Sequence, residues 1–359
     1  DPSDLERPVG LNMLEGDNEA ERDFAVQEMV AIFYKLFGEE MIGPMFEHYM
    51  RNAMLALMED RESGATILEI PRMFTDSAYR KKKLEKVTNP VVKNFWEQEY
   101  EQSQRGQQSA DMLSYVISKI GRFLSNRMMR NIVGQRVSGF NFREMMDHRK
   151  IFLVNLSKGK IGEVNSRLLG FIIVTKLQMA AMARAEVEAS ERRDFYLYLD
   201  EFQNFTTDSI ATILSEARKY RLDLIIAHQY IGQLGEKGDE SIKNAVFGNV
   251  GTIVAFRIGV EDAEFLQKEF EPTFTLNDLV NVEQYTANIK LLIDSTASLP
   301  FNMKTIYPPP GNAQLKEPLK QLSRLKYGRD RSGVELEIEE RAQLGALGRR
   351  APAPPEMSR

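Results

Sequence analysis

Two adjacent carboxylates, Asp200 and Glu201, close the apolar run Phe195–Leu199 in the stretch FYLYLDEFQNF. A short run of aromatic and aliphatic residues ending in acids reads as a buried strand. In a parallel α/β sheet, ligands sit at the carboxyl ends of the strands. Nucleoside triphosphate hydrolysis needs two acidic tasks at such a place: one carboxylate holds a magnesium-bound water, and the other orients and deprotonates the attacking water. The order of the pair gives the first task, and with it the magnesium, to Asp200, and the second to Glu201. A strand end carrying two solvated acids is the competing reading.

Two further residue types follow in the order this chemistry wants. Arg218, in SEARKY (215–220), ends a helix, where it is either a solvated C-terminal charge or a finger reaching the γ-phosphate of a neighbouring subunit. Gln229 follows the run LDLIIAH and sits where an amide can sense the γ-phosphate or position water; a plain polar strand terminus is the alternative. His228 reads as a packed, hydrogen-bonded neighbour, because the hydrolysis has no task for it. Arg257, after GTIVAF, is a candidate second phosphate-facing arginine, with a strand-end ion pair to Glu261 as the equal alternative.

These residues need an α/β scaffold. Ile151–Leu156, Phe195–Asp200, Leu222–Ala227 and Gly251–Arg257 read as strands, with Tyr285–Ile293 and Phe301–Ile306 as later ones. Helices are expected over Arg167–Glu188, Asp208–Tyr220 (capped by Thr206 or Thr207) and Glu261–Phe270. Strands alternating with helices imply a mostly parallel sheet with helices on both faces. Residues 22–148 read as all-helical: Phe24, Met29, Val30, Ile32, Phe33, Leu36 and Phe37 recur at helical spacing, and apolar periodicity returns over Pro44–Met58 and Asp111–Ile132. The organisation expected is 1–21, a short polar piece of the α/β core; 22–148, the helical module; 149–307, the rest of the core; and 308–359, a linker and disordered tail opened by Pro308-Pro309-Pro310-Gly311 and ending in the Ala/Pro-rich stretch 351–355.

Composition limits the remaining options. The chain has 359 residues, 43% hydrophobic and 28% charged, enough for a large core and a soluble surface. The formal net charge of -5 provides no global field for nucleic acid, so any such contact is local. With no cysteine there is no disulfide, thiolate catalysis or zinc-thiolate site, and three scattered histidines make a histidine metal cluster improbable. No uninterrupted apolar stretch approaches the ~18 residues of a membrane span.

From Ile151 to about Asp262 the sequence resembles the HerA/FtsK superfamily of RecA-like motors, and most of all the TraG/TraD-type coupling proteins of type IV secretion and conjugation. DEFQNF is similar to their Walker B motif, EARKY to the helix carrying their trans arginine, and IIAHQ to their glutamine motif; NVGTIVAFRIGVEDAEFL also resembles them. The resemblance implies a RecA-like P-loop NTPase core with an all-helical insertion domain, which suits 22–148. It also implies ATP and Mg2+ as cofactors, a homo-oligomer, expected to be a hexamer, and single- or double-stranded DNA as partner. A relaxase or secretion-channel protein is a further partner. The expected location is the cytoplasm, or the cytoplasmic face of the inner membrane if an upstream segment anchors the protein.

The departure is the phosphate cradle. G-x-x-x-x-G-K-[ST] is needed so that backbone N–H groups and a lysine hold the phosphates. Gly38–Gly43 has the glycine spacing with Pro44 in the lysine position, and Gly159-Lys160 lacks the first glycine and the hydroxyl. In the family the P-loop precedes text resembling Asp1–Leu14, so the sequence is expected to carry the Walker B half of a motor and to be inactive alone. Lys158 and Lys160, in SKGKIG, are expected to meet DNA phosphates in a pore, with a solvated loop as the alternative. Arg80–Lys83 reads as a solvated face and Trp96 as core. The rival functions are a secretion ATPase moving protein and a catalytically inactive adaptor.

Overall fold

The computed structural model describes residues 1–104, 108–205, 209–235, 240–294 and 296–342. The chain divides into two compact units: 1–145 with 151–179 and 316–359, and 146–150 with 180–315.

The first unit is helical. Its helices are α1 (Glu19–Phe37), α2 (Pro44–Glu59), α3 (Ile70–Thr75), α4 (Ser77–Leu84), α5 (Pro90–Asn94), α6 (Glu101–Ser103), α7 (Gln108–Ser125) and α8 (Arg127–Val133). α9 (Phe142–Asp147), the single turn α10 (Lys158–Ile161) and α11 (Glu163–Met182) follow. Local signals set the ends. The Asn18 side chain accepts from the Glu21 N–H to start α1, Gly38 at φ 83° ends it, and Pro44 occupies the first turn of α2. The apolar stripe of α1 supplies Val26, Met29, Ile32 and Phe33; Phe33 meets Phe46 of α2 at 5.4 Å and Phe123 of α7 at 6.3 Å. A π turn over Phe95–Tyr100 buries Trp96, whose indole N–H donates to Asn52 O at 3.2 Å, so Trp96 is core. The basic run splits: Arg80 and Lys83 are buried, with Lys83 on Asp60 at 2.7 Å, while Lys81 and Lys82 are the solvated face. The helical stretch Glu163–Glu186, which includes α11, is long and apolar enough to cross a membrane, but 72% of its apolar part is buried inside the structure, as expected of a core helix.

Two expectations change here. Ile151–Leu156 forms no strand ladder: Ile151 and Leu153 are 89% and 86% exposed, while Phe152 turns into an aromatic group with Phe140 (4.9 Å) and Phe142 (6.1 Å). An extended run without a neighbouring strand cannot satisfy its backbone as sheet. The region expected as a tail is also ordered in part. α16 (Ala313–Tyr327) and α17 (Arg331–Ala342) are helices, and α17 buries Val334, Ile338 and Ala342, a one-face spacing hidden among charges. Residues 343–359, with the Ala/Pro-rich end, lie outside the described residues, as do Thr206 and Thr207.

Arg127 of α8 grips Glu335 of α17 bidentately at 2.6 and 2.8 Å, and Asn131 adds a third bond at 2.8 Å. The Arg127 hydrogen bonds lead in holding the Glu335 carboxyl down at about 2. A carboxyl depressed in the folded state stabilises above its unfolded value, and that contribution is lost as pH falls through the folded value. Docking of α17 is therefore expected to weaken between about pH 4.5 and pH 2. Amide exchange of Arg331–Ala342 against pH measures this, and Glu335→Gln should flatten the dependence.

The second unit is α/β. β1 (Phe195–Leu199) pairs in parallel with β2 (Leu222–Ile226), β3 (Ile253–Ala255), β4 (Thr286–Lys290) and β7 (Phe301–Lys304) form an antiparallel sheet in the order β3-β4-β7, and β5 (Leu292–Ile293) pairs with β6 (Thr296–Ala297) as a hairpin. Parallel pairing among the described residues is thus confined to β1–β2, the pair that ends in the candidate chemistry. The later strands were expected to extend a parallel sheet, but β4 and β7 lie within a span too short for helical crossovers and pair antiparallel. α12 (Ser209–Glu216) runs into a 3-10 turn, Ala217–Tyr220, before β2; α13 (Ser241–Asn249), α14 (Val260–Phe270) and α15 (Leu276–Val280) complete the unit. Ile231, Ala255, Ala263, Leu266, Phe270 and Leu279 form a hydrophobic cluster in it, with Ala255 coming from β3.

Candidate nucleotide-hydrolysis site

The β1–β2 register places two strand ends side by side. Phe195 lies opposite Leu222 and Leu199 opposite Ile226, and the pairing continues past the strands: Ala227 N donates to Leu199 O and Phe202 N to Ala227 O, both at 2.9 Å. The opposite ends are laced by the buried Arg184, which donates to Arg193 O (2.9 Å), Tyr220 O (3.1 Å) and Asp147 Oδ1 (3.0 Å).

Immediately after β1 the backbone turns sharply. Glu201 sits in the left-handed region, φ 52° and ψ 47°, and opens a 3-10 turn over Phe202–Asn204. For a residue with a Cβ this conformation costs about 1–2 kcal/mol, a strain of the kind that concentrates at functional sites. Local bonds hold it: Asp200 Oδ1 accepts the Glu201 N–H at 3.1 Å, and Glu201 O accepts from Asn204 N (2.9 Å) and Asn204 Nδ2 (3.1 Å). The turn aims the Glu201 carboxylate across to the end of β2. There Gln229 Nε2 donates to Oε1 at 2.8 Å, while Gln203 Nε2 donates to Oε2 at 2.7 Å. Gln233 Oε1 accepts the N–H groups of Gln229 (3.0 Å) and Tyr230 (3.2 Å), fixing the loop that carries Gln229.

The structure thus brings Asp200, Glu201 and Gln229 together. It adds Gln203 and Gln233, which the sequence reading missed. The only signal for Gln203 is its position two residues after Glu201 within one tight turn. His228 is half-buried and its Nδ1 has no hydrogen-bond partner among the described residues; burial pulls its pKa down against the pull of Asp262, so the ring is neutral at neutral pH. Asp262 is itself engaged, accepting the Ile231 N–H at 3.1 Å.

Other candidates lie elsewhere. Arg218 is exposed in the turn entering β2, at the opposite end of that strand from Gln229. Its charge acts there on Asp223, whose carboxyl is pushed up by burial and by Asp194 and pulled down by Arg221 and Arg218. Arg257 is exposed after β3, on the antiparallel sheet, and no ion pair joins it to Glu261 among the described residues. Lys158 and Lys160 are exposed on a helical turn, Lys158 within 3.7 Å of Glu163. Neither P-loop-like spacing forms a cradle: Gly38 caps α1 with its N–H on Tyr34 O, Pro44 opens α2, and Gly159 is inside α10.

Among the described residues no cluster of three or more His, Asp or Glu side chains suits a metal. A magnesium ion that keeps most of its waters and takes one carboxylate plus phosphate oxygens asks only for a group such as Asp200. That carboxylate is exposed at a strand end, so the residues fit a nucleotide-bound magnesium and not a resident one.

Residues 194–269 match the family described as the TraM recognition site of TraD and TraG. The solved structure of the bacterial conjugative coupling protein TrwB with sulphate is similar at a TM-score of 0.50 and 11% identity, covering 87% of this chain and 79% of that one. TrwB in complex with ADP and Mg2+ gives 0.50 at 10% identity, covering 85% and 73%. VirB4 of Thermoanaerobacter pseudethanolicus gives 0.50 at 13% identity, covering 86% and 76%. An uncharacterized protein of Mycoplasma pneumoniae is 25% identical over 95 residues, 26% of this chain and 61% of that protein's length. The chain has the α/β fold of these solved structures, with helical parts, and its resemblance to the TraG/TraD-type coupling proteins of the HerA/FtsK class holds.

Proposed function

We propose, from the chain's resemblance to TraG/TraD-type coupling proteins, that it works as part of a hexameric ATP-driven motor moving DNA in type IV secretion or conjugation. The observation that carries this is the 2.8 Å bond between Glu201 and Gln229, which joins the ends of two adjacent parallel strands at one point. Bound Mg-ATP supplies the polarised γ-phosphoryl group. Glu201 orients the attacking water and takes its proton, Asp200 holds a magnesium-bound water, and Gln229 reads the γ-phosphate. Arg218 serves the site of the neighbouring subunit. Arg257 is the weakest member of this set, since it lies off the parallel pair. Lys158 and Lys160 are assigned to DNA phosphates, and 22–148 acts as an inserted helical domain contacting DNA or a relaxase-like cargo, on the cytoplasmic side of the inner membrane.

No segment of the 359 residues carries the full G-x-x-x-x-G-K-[ST] pattern, so the chain alone is expected to bind Mg-ATP weakly. In the protein that pairs it with a phosphate-binding loop, DNA should stimulate ATP turnover, and Glu201→Gln should lower turnover by about 10²–10⁴. Unchanged hydrolysis in Glu201→Gln would overturn the base assignment. Turnover indifferent to DNA would point to a protein-moving ATPase, and no nucleotide affinity in any form to an adaptor.

A further inference from the structure

We infer that Gln203 is a positioning residue of the Glu201 carboxylate, and that Gln229 is an exchangeable partner of it. This rests on the assignment of Glu201 as base and goes beyond it in saying how the carboxylate is held before and during nucleotide engagement.

The two amides approach different oxygens from different elements. Gln203 lies on the same 3-10 turn as Glu201 and moves with it; its Nε2 sits on Oε2 at 2.7 Å. Gln229 comes from the end of β2 and meets Oε1 at 2.8 Å. Its backbone is anchored separately, through its N–H on Gln233 Oε1 at 3.0 Å, so its side chain can swing without the loop moving. A γ-phosphate oxygen is a better acceptor for that amide than a carboxylate already supplied by Gln203, because charge-assisted bonds favour the more highly charged acceptor. When Gln229 turns to phosphate, Oε1 gives up that donor while the Gln203 bond stays on Oε2.

The first test needs no turnover. In the 359-residue chain labelled with 15N-glutamine, Glu201→Ala should shift the side-chain amide signals of both Gln203 and Gln229 and speed their solvent exchange. Gln203→Ala should leave the Gln229 signal engaged, and both variants should keep the wild-type melting temperature. A Gln203 amide signal unmoved by Glu201→Ala overturns the inference. The second test uses the nucleotide-hydrolysing protein. Gln203→Ala should lower kcat about tenfold to a hundredfold, the range for a misaimed reacting group, with KM for ATP held within about twofold. Gln229→Ala should change kcat and KM together, because it touches the phosphate. If Glu201→Gln abolishes turnover but Gln203→Ala has wild-type kcat, this inference fails alone. If Glu201→Gln is fully active, the base assignment fails, whatever the amide signals show.

Discussion

In the protein that pairs this chain with a phosphate-binding loop, Arg218→Ala is expected to lower ATP turnover by about 10³-fold or more, the scale of a transition-state arginine, and activity is expected to return when these subunits are mixed with Glu201→Gln subunits. The reason is geometric. Arg218 precedes β2 and Gln229 follows it. Five strand residues at ~3.3 Å each separate the two ends by about 16 Å, too far for an arginine to reach the site of its own chain past the strand. In a closed ring the finger must come from the next subunit. In a mixed oligomer, a subunit with an intact Glu201 sometimes sits beside one with an intact Arg218. With equal amounts of each variant, about one interface in four has both, so turnover should recover toward about a quarter of wild type if subunits mix at random. An arginine acting within its own subunit would give no recovery at any ratio.

Arg341→Ala should destabilise the helical unit by about 3–5 kcal/mol, the cost of stranding one partner of a buried ion pair. Arg341 of α17 meets Glu69 at 2.5 Å and also donates to Gly134 O; Arg72 donates to Arg341 O at 2.7 Å, and Thr66 N donates to Glu69 at 2.6 Å. Glu69 is fully buried, and burial pushes its carboxyl up while Arg341 and Thr66 pull it down. The upward push wins, so the folded value lies above the unfolded one even with Arg341 in place. Without the guanidinium it rises further, so the ionised form is more destabilising at neutral pH and the variant's deficit shrinks as pH falls. The single tryptophan, Trp96, lies in this unit, so its fluorescence in urea reads the change. A double replacement, Glu69→Gln with Arg341→Met, should recover most of the loss, because it removes both buried charges.

Legibility from sequence followed the locality of each signal. β1, β2 and the pair Asp200–Glu201 were readable because an apolar run ending in acids is a local pattern, and Gln229 because it ends the next such run. Gln203 and Gln233 were not, since a glutamine carries no mark of the turn that folds it back. Ile151–Leu156 shows the converse: its composition says strand, but strand formation is decided by whether a neighbour offers a ladder. α17 was obscured by the charged residues between Val334, Ile338 and Ala342, two of which, Glu335 and Arg341, hold Arg127 of α8 and the buried Glu69. The antiparallel order β3-β4-β7 depends on pairing partners tens of residues apart, which periodicity does not encode.

The helical unit joins segments 320 positions apart in the sequence. Val9 bridges Gly328, Arg331 N donates to Glu6 O, and Arg324 reaches Asp4 at 2.6 Å. The ribosome delivers residues in order, so α1–α8 are made before α17, which covers α8 and pairs with Glu69. Until α17 clears the exit tunnel, the nascent unit exposes an open apolar seat and an acid without its counter-ion. Completion of the unit is thereby tied to the synthesis of α17, and a chain stalled before it becomes a marked target for chaperones and proteases.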